Sequence, residues 1–237
     1  THKYITTAIP ESKFGINTWE LDEVIDHLAS LKNLDLKGIH FHIGSQITKM
    51  SVFKSLCSRI NELQDWFSSH NINLEIINVG GGLGIDYSEP DKPAKFEEYF
   101  SLLKEFVRLR PGQRLHIEPG RSIVGQCGSL ISRVLFIKKG SNTTFAIIDA
   151  GMTDLIRPAL YQAVHKIENL TSDGIKGRYD VVGPVCESAD TFAKLIELPE
   201  TRRGDLIAIR SAGAYGESMA SRYNLRDLPG SLFQDEL

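Results

Sequence analysis

The stretch NLEIINVGGG, residues 73–82, decides how the chain folds. It is apolar almost throughout and closes on three glycines. A short apolar run bounded by a glycine turn predicts a strand buried on both faces, which belongs in a parallel sheet covered by helices. Two neighbouring stretches have the same shape: LKGIHFHIG (36–44) on one side and QRLHIEPG (113–120) on the other. Between them lie helical patterns. Phe53, Leu56, Ile60, Leu63 and Phe67 recur at 3,4,3,4 spacing, and Phe96, Tyr99, Phe100, Leu103, Phe106 and Val107 mark a second helix. Further upstream, Leu21, Val24, Ile25, Leu28 and Leu31 predict a helix over 18–32, with Asn17 and Glu20 spaced as a capping box. KFGI (13–16) predicts one more short strand.

Strand and helix therefore alternate through the first half, and polar or glycine residues gather where strands end. In barrels built this way the site lies at the carboxyl edge of the strands. A full eight-stranded barrel needs about 250 residues, so the roughly four units expected here amount to half of one. After residue 122 the pattern changes. SIVGQCGSLISRVLFIKKG, TTFAIIDAG, RYDVVGP and GDLIAIRSAG read as strands, and long helical patterns stop. The expected fold class is thus α/β plus all-β: a partial (β/α)8 barrel over 1–124, then an antiparallel β-domain over 125–237.

Composition narrows the function. The chain has 237 residues, is 41% hydrophobic and 24% charged, and carries a formal net charge of -3. These values suit a globular protein and give no sign of a nucleic-acid or membrane partner. No apolar run approaches the ~20 residues of a membrane span, and THKYITTAIP at the start has no signal-peptide core. Three scattered cysteines, Cys57, Cys127 and Cys186, fit a reducing compartment, the cytoplasm, better than a disulfide framework. The first residue is threonine rather than an initiator methionine, and a processed or partial chain is expected.

Several constellations point to chemistry, each beside a plainer reading. The backbone N–H groups of NVGGGLG (78–84) would cradle an anion; the plain reading is a tight turn, but three consecutive glycines suggest close approach to something. HFHIGS (40–45) puts His40 and His42 on one strand face, as satisfied core histidines, as zinc ligands, or with one imidazole stacked on a flat ring while Ser45 helps hold a phosphate. In IEPGR (117–121), Glu118 and Arg121 form a mutual salt bridge or face a ligand with a positive and a negative part. Arg157 and Tyr161 in RPALY stand four apart, a surface pair or a carboxylate fork. In GPVCES (183–188) the plain reading of Cys186, beside Glu187, is a buried small hydrophobe, but its Gly, Pro, Glu and Ser neighbours suggest a loop, where a thiol would serve as proton donor. SAGAYG (211–216) presents Tyr215 on a small-residue turn, the plain reading being a capped hairpin.

The motifs GIHFHIGSQ, NVGGGLGIDY, EPGRSIVG, DAGMTDLIRPALY, VVGPVCESAD and SAGAYGESMASRYN occur in one order. Together they resemble the diaminopimelate decarboxylase family, within the fold-type III, alanine-racemase-like pyridoxal-phosphate enzymes, over roughly residues 1 to 226. CES after GPV is more similar to this family than to the ornithine or arginine decarboxylases. The resemblance implies the second half of a pyridoxal-phosphate-binding (β/α)8 barrel followed by a Greek-key-like β-barrel domain. It implies a lyase that decarboxylates meso-2,6-diaminopimelate to L-lysine, with pyridoxal 5'-phosphate as cofactor and no metal. His42 would stack on the pyridine ring and Glu118 would pair with its nitrogen. Ser45, Gly80, Gly81, Gly82, the Pro119–Gly120–Arg121 turn and Tyr215 would surround the phosphate. Arg121, Arg157, Tyr161 and Tyr215 would contact the substrate, Glu187 would bind its distal amino group, and Cys186 would be the proton donor. Cys186 and Glu187 would come from the partner subunit of a homodimer with a shared site.

The family's cofactor-anchoring lysine, in a Tyr-Ala-x-Lys-Ala type motif, has no counterpart among the lysines of this sequence. The expectation is that it lies upstream and that this chain alone is inactive. DLPGSLFQDEL at the end is also unlike the family's last strand. Three alternatives stay open: a non-catalytic pyridoxal-phosphate-binding or regulatory homologue, another fold-type III decarboxylase of a basic amino acid, and a metal hydrolase built on His40 and His42.

Overall fold

The computed structural model describes residues 13–233, which divide into two compact units. The first runs through Gly84 and resumes at Ala94–Arg121; the second comprises Ile85–Pro93 and the chain from Ser122 onward.

In the first unit three short strands, β1 (Gly38–His40), β2 (Ile76–Asn78) and β3 (Arg114–His116), form a parallel sheet in the order β1-β2-β3. Ile39 pairs with Ile77, which pairs with Leu115. Each connection carries one of the expected helices, because parallel neighbours need a long crossover. Helix α1 (Leu21–Leu28) precedes the sheet, α2 (Met50–Ser69) links β1 to β2, and α3 (Phe96–Phe106) links β2 to β3. The apolar stripe of α2 buries Phe53, Leu56, Ile60 and Phe67. Phe53 and Ile60 are fully buried, and each such side chain contributes about 1.5–3 kcal/mol. Phe53 meets Tyr99 of α3 edge-on at 4.8 Å. Asn61 of α2 then closes the end of α3: its amide nitrogen donates to Phe106 O at 2.8 Å, and its oxygen accepts the Arg108 N–H at 2.9 Å. Helix α2 ends at Ser69, and Asn71 just beyond it has a φ of +59°, the left-handed turn that follows many helices.

Two expectations fail here. KFGI is a bend, with Gly15 at φ +75° and Phe14 and Ile16 more than half exposed; an extended run needs a sheet neighbour, which local pattern does not supply. The first helix is shorter than 18–32. It opens with a 3-10 turn, Thr18–Glu20, where Glu20 Oε2 accepts the Asn17 N–H at 2.9 Å, and α1 ends at Leu28.

The second unit is a six-stranded sheet, β4 (Leu130–Lys139), β5 (Thr144–Ile148), β6 (Ile167–Asn169), β7 (Lys176–Val182), β8 (Thr191–Pro199) and β9 (Leu206–Ile209). The order is β6-β9-β4-β5-β7-β8. Its core holds Val134, Ile148, Leu155, Val181, Ile207 and Ile209. The expected all-antiparallel sheet is corrected to a mixed one, since β5 and β7 pair in parallel through Ala146 and Val181. The long 149–175 connection, with α5 (Arg157–Tyr161) and β6 in it, brings the chain back in the same direction. The start of SIVGQCG is also not strand: Arg121–Val124 forms a short helix, α4, and β4 begins only at Leu130.

Candidate functional site

The carboxyl ends of β1, β2 and β3 share one edge, and there the first group of expected residues collects. Hydrogen bonds carry the sheet past the strands: Phe41 N to Asn78 O at 2.9 Å, Val79 N to His116 O at 3.0 Å, and Glu118 N to Gly80 O at 2.9 Å. Beyond them Ile47 pairs with Leu83, with Ile47 N donating to Gly82 O at 2.8 Å. The glycine turn is thus held between the two flanking strand ends. This is what the three glycines approach. A Cβ on Gly80 would collide with Phe41 O, one on Gly81 with Glu118 O, and one on Gly82 with Gly44 O. Gly80 and Gly82 also lie at φ +70° and +107°, where side chains are strained. Within this turn the Gly80 N–H donates to Asn78 Oδ1 at 2.9 Å.

Glu118 stands at the centre of this edge. Asn78 Nδ2 donates to its Oε1 at 2.8 Å, and His40 Nε2 lies 3.2 Å from its Oε2. The Asn78 bond, assisted by the imidazoles of His40 and His42, holds the carboxyl below the usual glutamate range. Its side chain stays 53% exposed. So the anion is stabilised yet accessible. Arg121 is 7% exposed and Nη2 donates to Ser45 Oγ at 3.2 Å. The two charges of IEPGR have therefore each found another partner. His42 is exposed, two residues past β1; Pro119 is half-buried and Gly120 exposed on the turn after Glu118. Among the described residues no group of three or more His, Cys, Asp or Glu side chains is placed to hold a metal ion.

The second unit holds the other expected residues. Arg157, the first residue of α5, is 4% exposed, and its Nη1 lies 2.9 Å from His165 Nε2. Tyr161 is half-buried at the end of the same five-residue helix. Cys186 and Glu187 are exposed on the 183–190 loop. That loop is gathered around Asp190, which is 3% exposed. One carboxylate oxygen accepts the Val185 N–H at 2.7 Å and the other the Met152 N–H at 2.6 Å. Gly183 has no room for a Cβ beside that carboxylate. Burial pushes the Asp190 carboxyl up, and the two N–H groups counter it. On the far side, Tyr223 donates its hydroxyl to Glu187, and Asn224 Nδ2 approaches Cys186 Sγ at 3.6 Å. Tyr215, at φ +64° and 47% exposed, sits on the 211–216 turn. The turn is tied down by Ala212 N to Gly128 O at 2.8 Å and Gly213 N to Gly125 O at 3.1 Å.

Sequence reading missed Asn78, Asp190, Tyr223, Asn224, His165 and Tyr87 as site-building residues. All but His165 lie within the quoted motifs, but their partners are set by the sheet and the turns.

An α/β sheet with an ionised acid, two imidazoles and an arginine–serine pair at its strand ends is the layout of a cofactor-binding α/β enzyme domain. The profile of the family described as "Pyridoxal-dependent decarboxylase, pyridoxal binding domain" matches residues 1–125, and the chain belongs to this family. Similar proteins include the diaminopimelate decarboxylase of Bacteroides thetaiotaomicron, 57% identical over 239 residues that take in 100% of this chain and 62% of that protein. Among solved structures, a point variant of Helicobacter pylori diaminopimelate decarboxylase complexed with L-lysine superimposes with a TM-score of 0.87 at 39% identity, covering 95% of this chain and 56% of the other. The M. jannaschii diaminopimelate decarboxylase in co-complex with L-lysine gives 0.85 at 35% identity, covering 95% and 54%. The chain spans less than two thirds of the length of each.

The family's cofactor is pyridoxal phosphate, and the strand-end residues fit it. A carboxylate held ionised suits a protonated ring nitrogen, and the Arg121–Ser45 pair supplies a cation and a hydroxyl for an anionic group.

Proposed function

We propose that these residues form part of a diaminopimelate decarboxylase, which converts meso-2,6-diaminopimelate to L-lysine and CO2. The observation that carries this reading is 57% identity, over the whole of this chain, to an enzyme of that name. When bound, pyridoxal phosphate supplies the electron sink that lets CO2 leave. Glu118 would keep a proton on the ring nitrogen, since an adjacent carboxylate favours the charged form. His42 would lie against the ring, while Ser45, Arg121, the Gly80–Gly82 turn, the Pro119–Gly120 turn and Tyr215 would hold the phosphate end. Arg157 and Tyr161 take the carboxylate at the substrate's far end, with Arg121 and Tyr215 also meeting substrate, and Glu187 takes the far ammonium. Cys186 Sγ gives a proton to the carbon that has lost CO2.

In this reading the first unit is the second half of a (β/α)8 barrel and the second unit a C-terminal β-barrel domain. The enzyme is a homodimer in which Cys186 and Glu187 serve the partner's site. Three free cysteines suit the cytoplasm, and no helix among the described residues is long and apolar enough to cross a membrane. The test is product release by the polypeptide that joins these residues to the anchoring lysine. Diaminopimelate should yield L-lysine far faster than lysine or ornithine is decarboxylated. Equal rates on all three, or no release, would remove this assignment. The 237-residue chain alone should release none.

A further inference from the structure

The segment 85–93 lies between β2 and α3 in the chain but packs with the second unit. Tyr87 O accepts the Lys166 N–H at 3.1 Å, Asp91 pairs with Arg210 Nη2 at 2.7 Å, and Gln126 Nε2 donates to Pro90 O and Lys92 O at 2.7 Å each. What this segment brings to the second unit is the ring of Tyr87. It lies 4.8 Å from the Arg157 guanidinium carbon and meets the His165 ring edge-on at 4.9 Å.

The protonation of His165 follows from its partners. Nδ1 lies 2.8 Å from Arg210 O. A carbonyl oxygen only accepts, so Nδ1 carries the hydrogen. Nε2, 2.9 Å from Arg157 Nη1, then presents its lone pair to that N–H. Arg157 is 4% exposed and His165 is 4% exposed, so neither ring nor guanidinium swings freely. These two neighbours are uncharged. They fix the direction of the guanidinium. A guanidinium oriented this way is suited to a planar carboxylate, and holding it beforehand lowers the entropy lost when the ligand arrives.

We propose that His165 and Tyr87 are positioning residues that aim Arg157 at the carboxylate at the substrate's far end, and so set the preference for a ligand carrying that group. The proposal rests on the reading of Arg157 as the reader of that carboxylate. L-Lysine keeps the far carboxylate of diaminopimelate, and cadaverine has none, so the ratio of their inhibition constants isolates it.

The experiment uses the full-length enzyme with His165→Phe, His165→Gln, Tyr87→Leu and Arg157→Met. We expect His165→Phe to raise KM for diaminopimelate and Ki for L-lysine about tenfold or more, the scale of one charge-assisted hydrogen bond. Ki for cadaverine and kcat should move little. His165→Gln, whose amide oxygen still accepts, should restore most of the loss, and Tyr87→Leu should give a smaller loss of the same kind. If Arg157→Met erases the lysine preference but neither His165→Phe nor Tyr87→Leu reduces it, the positioning role is wrong and the role of Arg157 stands. If Arg157→Met leaves the preference intact, the reading of Arg157 fails first. Equal weakening of lysine and cadaverine would mark a purely structural cluster. Tyr87→Leu keeps the test decisive if His165→Phe does not fold.

Discussion

Asn78 joins Glu118 to the glycine turn: its Nδ2 donates to Glu118 Oε1 at 2.8 Å while its Oδ1 accepts the Gly80 N–H at 2.9 Å. One amide thus orients the acid and shapes the loop beside it. The pairing exists because β2 and β3 run in parallel with Asn78 opposite His116, two residues short of Glu118.

Replacing Glu118 by Gln keeps the shape and removes the charge. In the full-length enzyme kcat should fall by about 100-fold or more, within the range for groups that control a proton in the reaction. The melting temperature should move by only about 2 °C, because the side chain is 53% exposed. Loss of folding with an unchanged rate in the folded fraction would show Glu118 to be structural.

Asn78→Ala acts on the same carboxyl through its ionisation. The carboxyl sits below its usual range because of the Asn78 bond, so losing that bond raises it. The acid limb of kcat/KM should shift to higher pH. The sign for stability is the same: a depressed carboxyl stabilises the fold above its unfolded pKa, and that contribution disappears as pH falls through the folded value. Asn78→Ala should therefore flatten the acid side of the stability curve. A pH–rate profile superimposable on the parent's would count against this coupling.

Gly81→Ala and Gly120→Ala separate packing from flexibility. A Cβ at Gly81 runs into Glu118 O, whereas one at Gly120 meets nothing within 4 Å. Gly81→Ala should cost about 1–3 kcal/mol or more by overpacking. Gly120→Ala should stay within about 1 kcal/mol of the parent. Chemical denaturation of both variants measures the contrast, and equal stabilities would refute the backbone-contact account.

Asp190→Ala strands the Val185 and Met152 N–H groups, at a cost of about 2 kcal/mol or more. It should also loosen the loop that carries Cys186 and Glu187. Protease cleavage within 183–190 should quicken, and kcat should drop by about tenfold. Asp190→Asn, which keeps one acceptor oxygen, should recover part of both. An unchanged cleavage rate in Asp190→Ala would show that the carboxylate does not hold the loop.

Helices α2 and α3 and the three parallel strands were readable because their signals are local: a 3.6-residue stripe and an unbroken apolar run ending in glycine. The grouping of chemistry at strand ends was readable for the same reason, since parallel strands place all their carboxyl ends on one edge. KFGI was misread because an apolar tetrapeptide has no period long enough to tell a strand from a bend. The parallel pairing of β5 with β7 was missed because a strand's sequence does not state which neighbour it meets.

The sequence by itself determined the residue types of the site, their order and the family they belong to. Only the tertiary structure decided their partners: Glu118 with Asn78 and His40 rather than Arg121, Arg157 with His165 and Tyr87, Cys186 and Glu187 on a loop gathered by Asp190. The reason is physical. Strand and helix signals come from neighbours a few residues apart, whereas these contacts join residues as far as 78 positions apart, such as His40 and Glu118, which meet only once sheet register and turns are set.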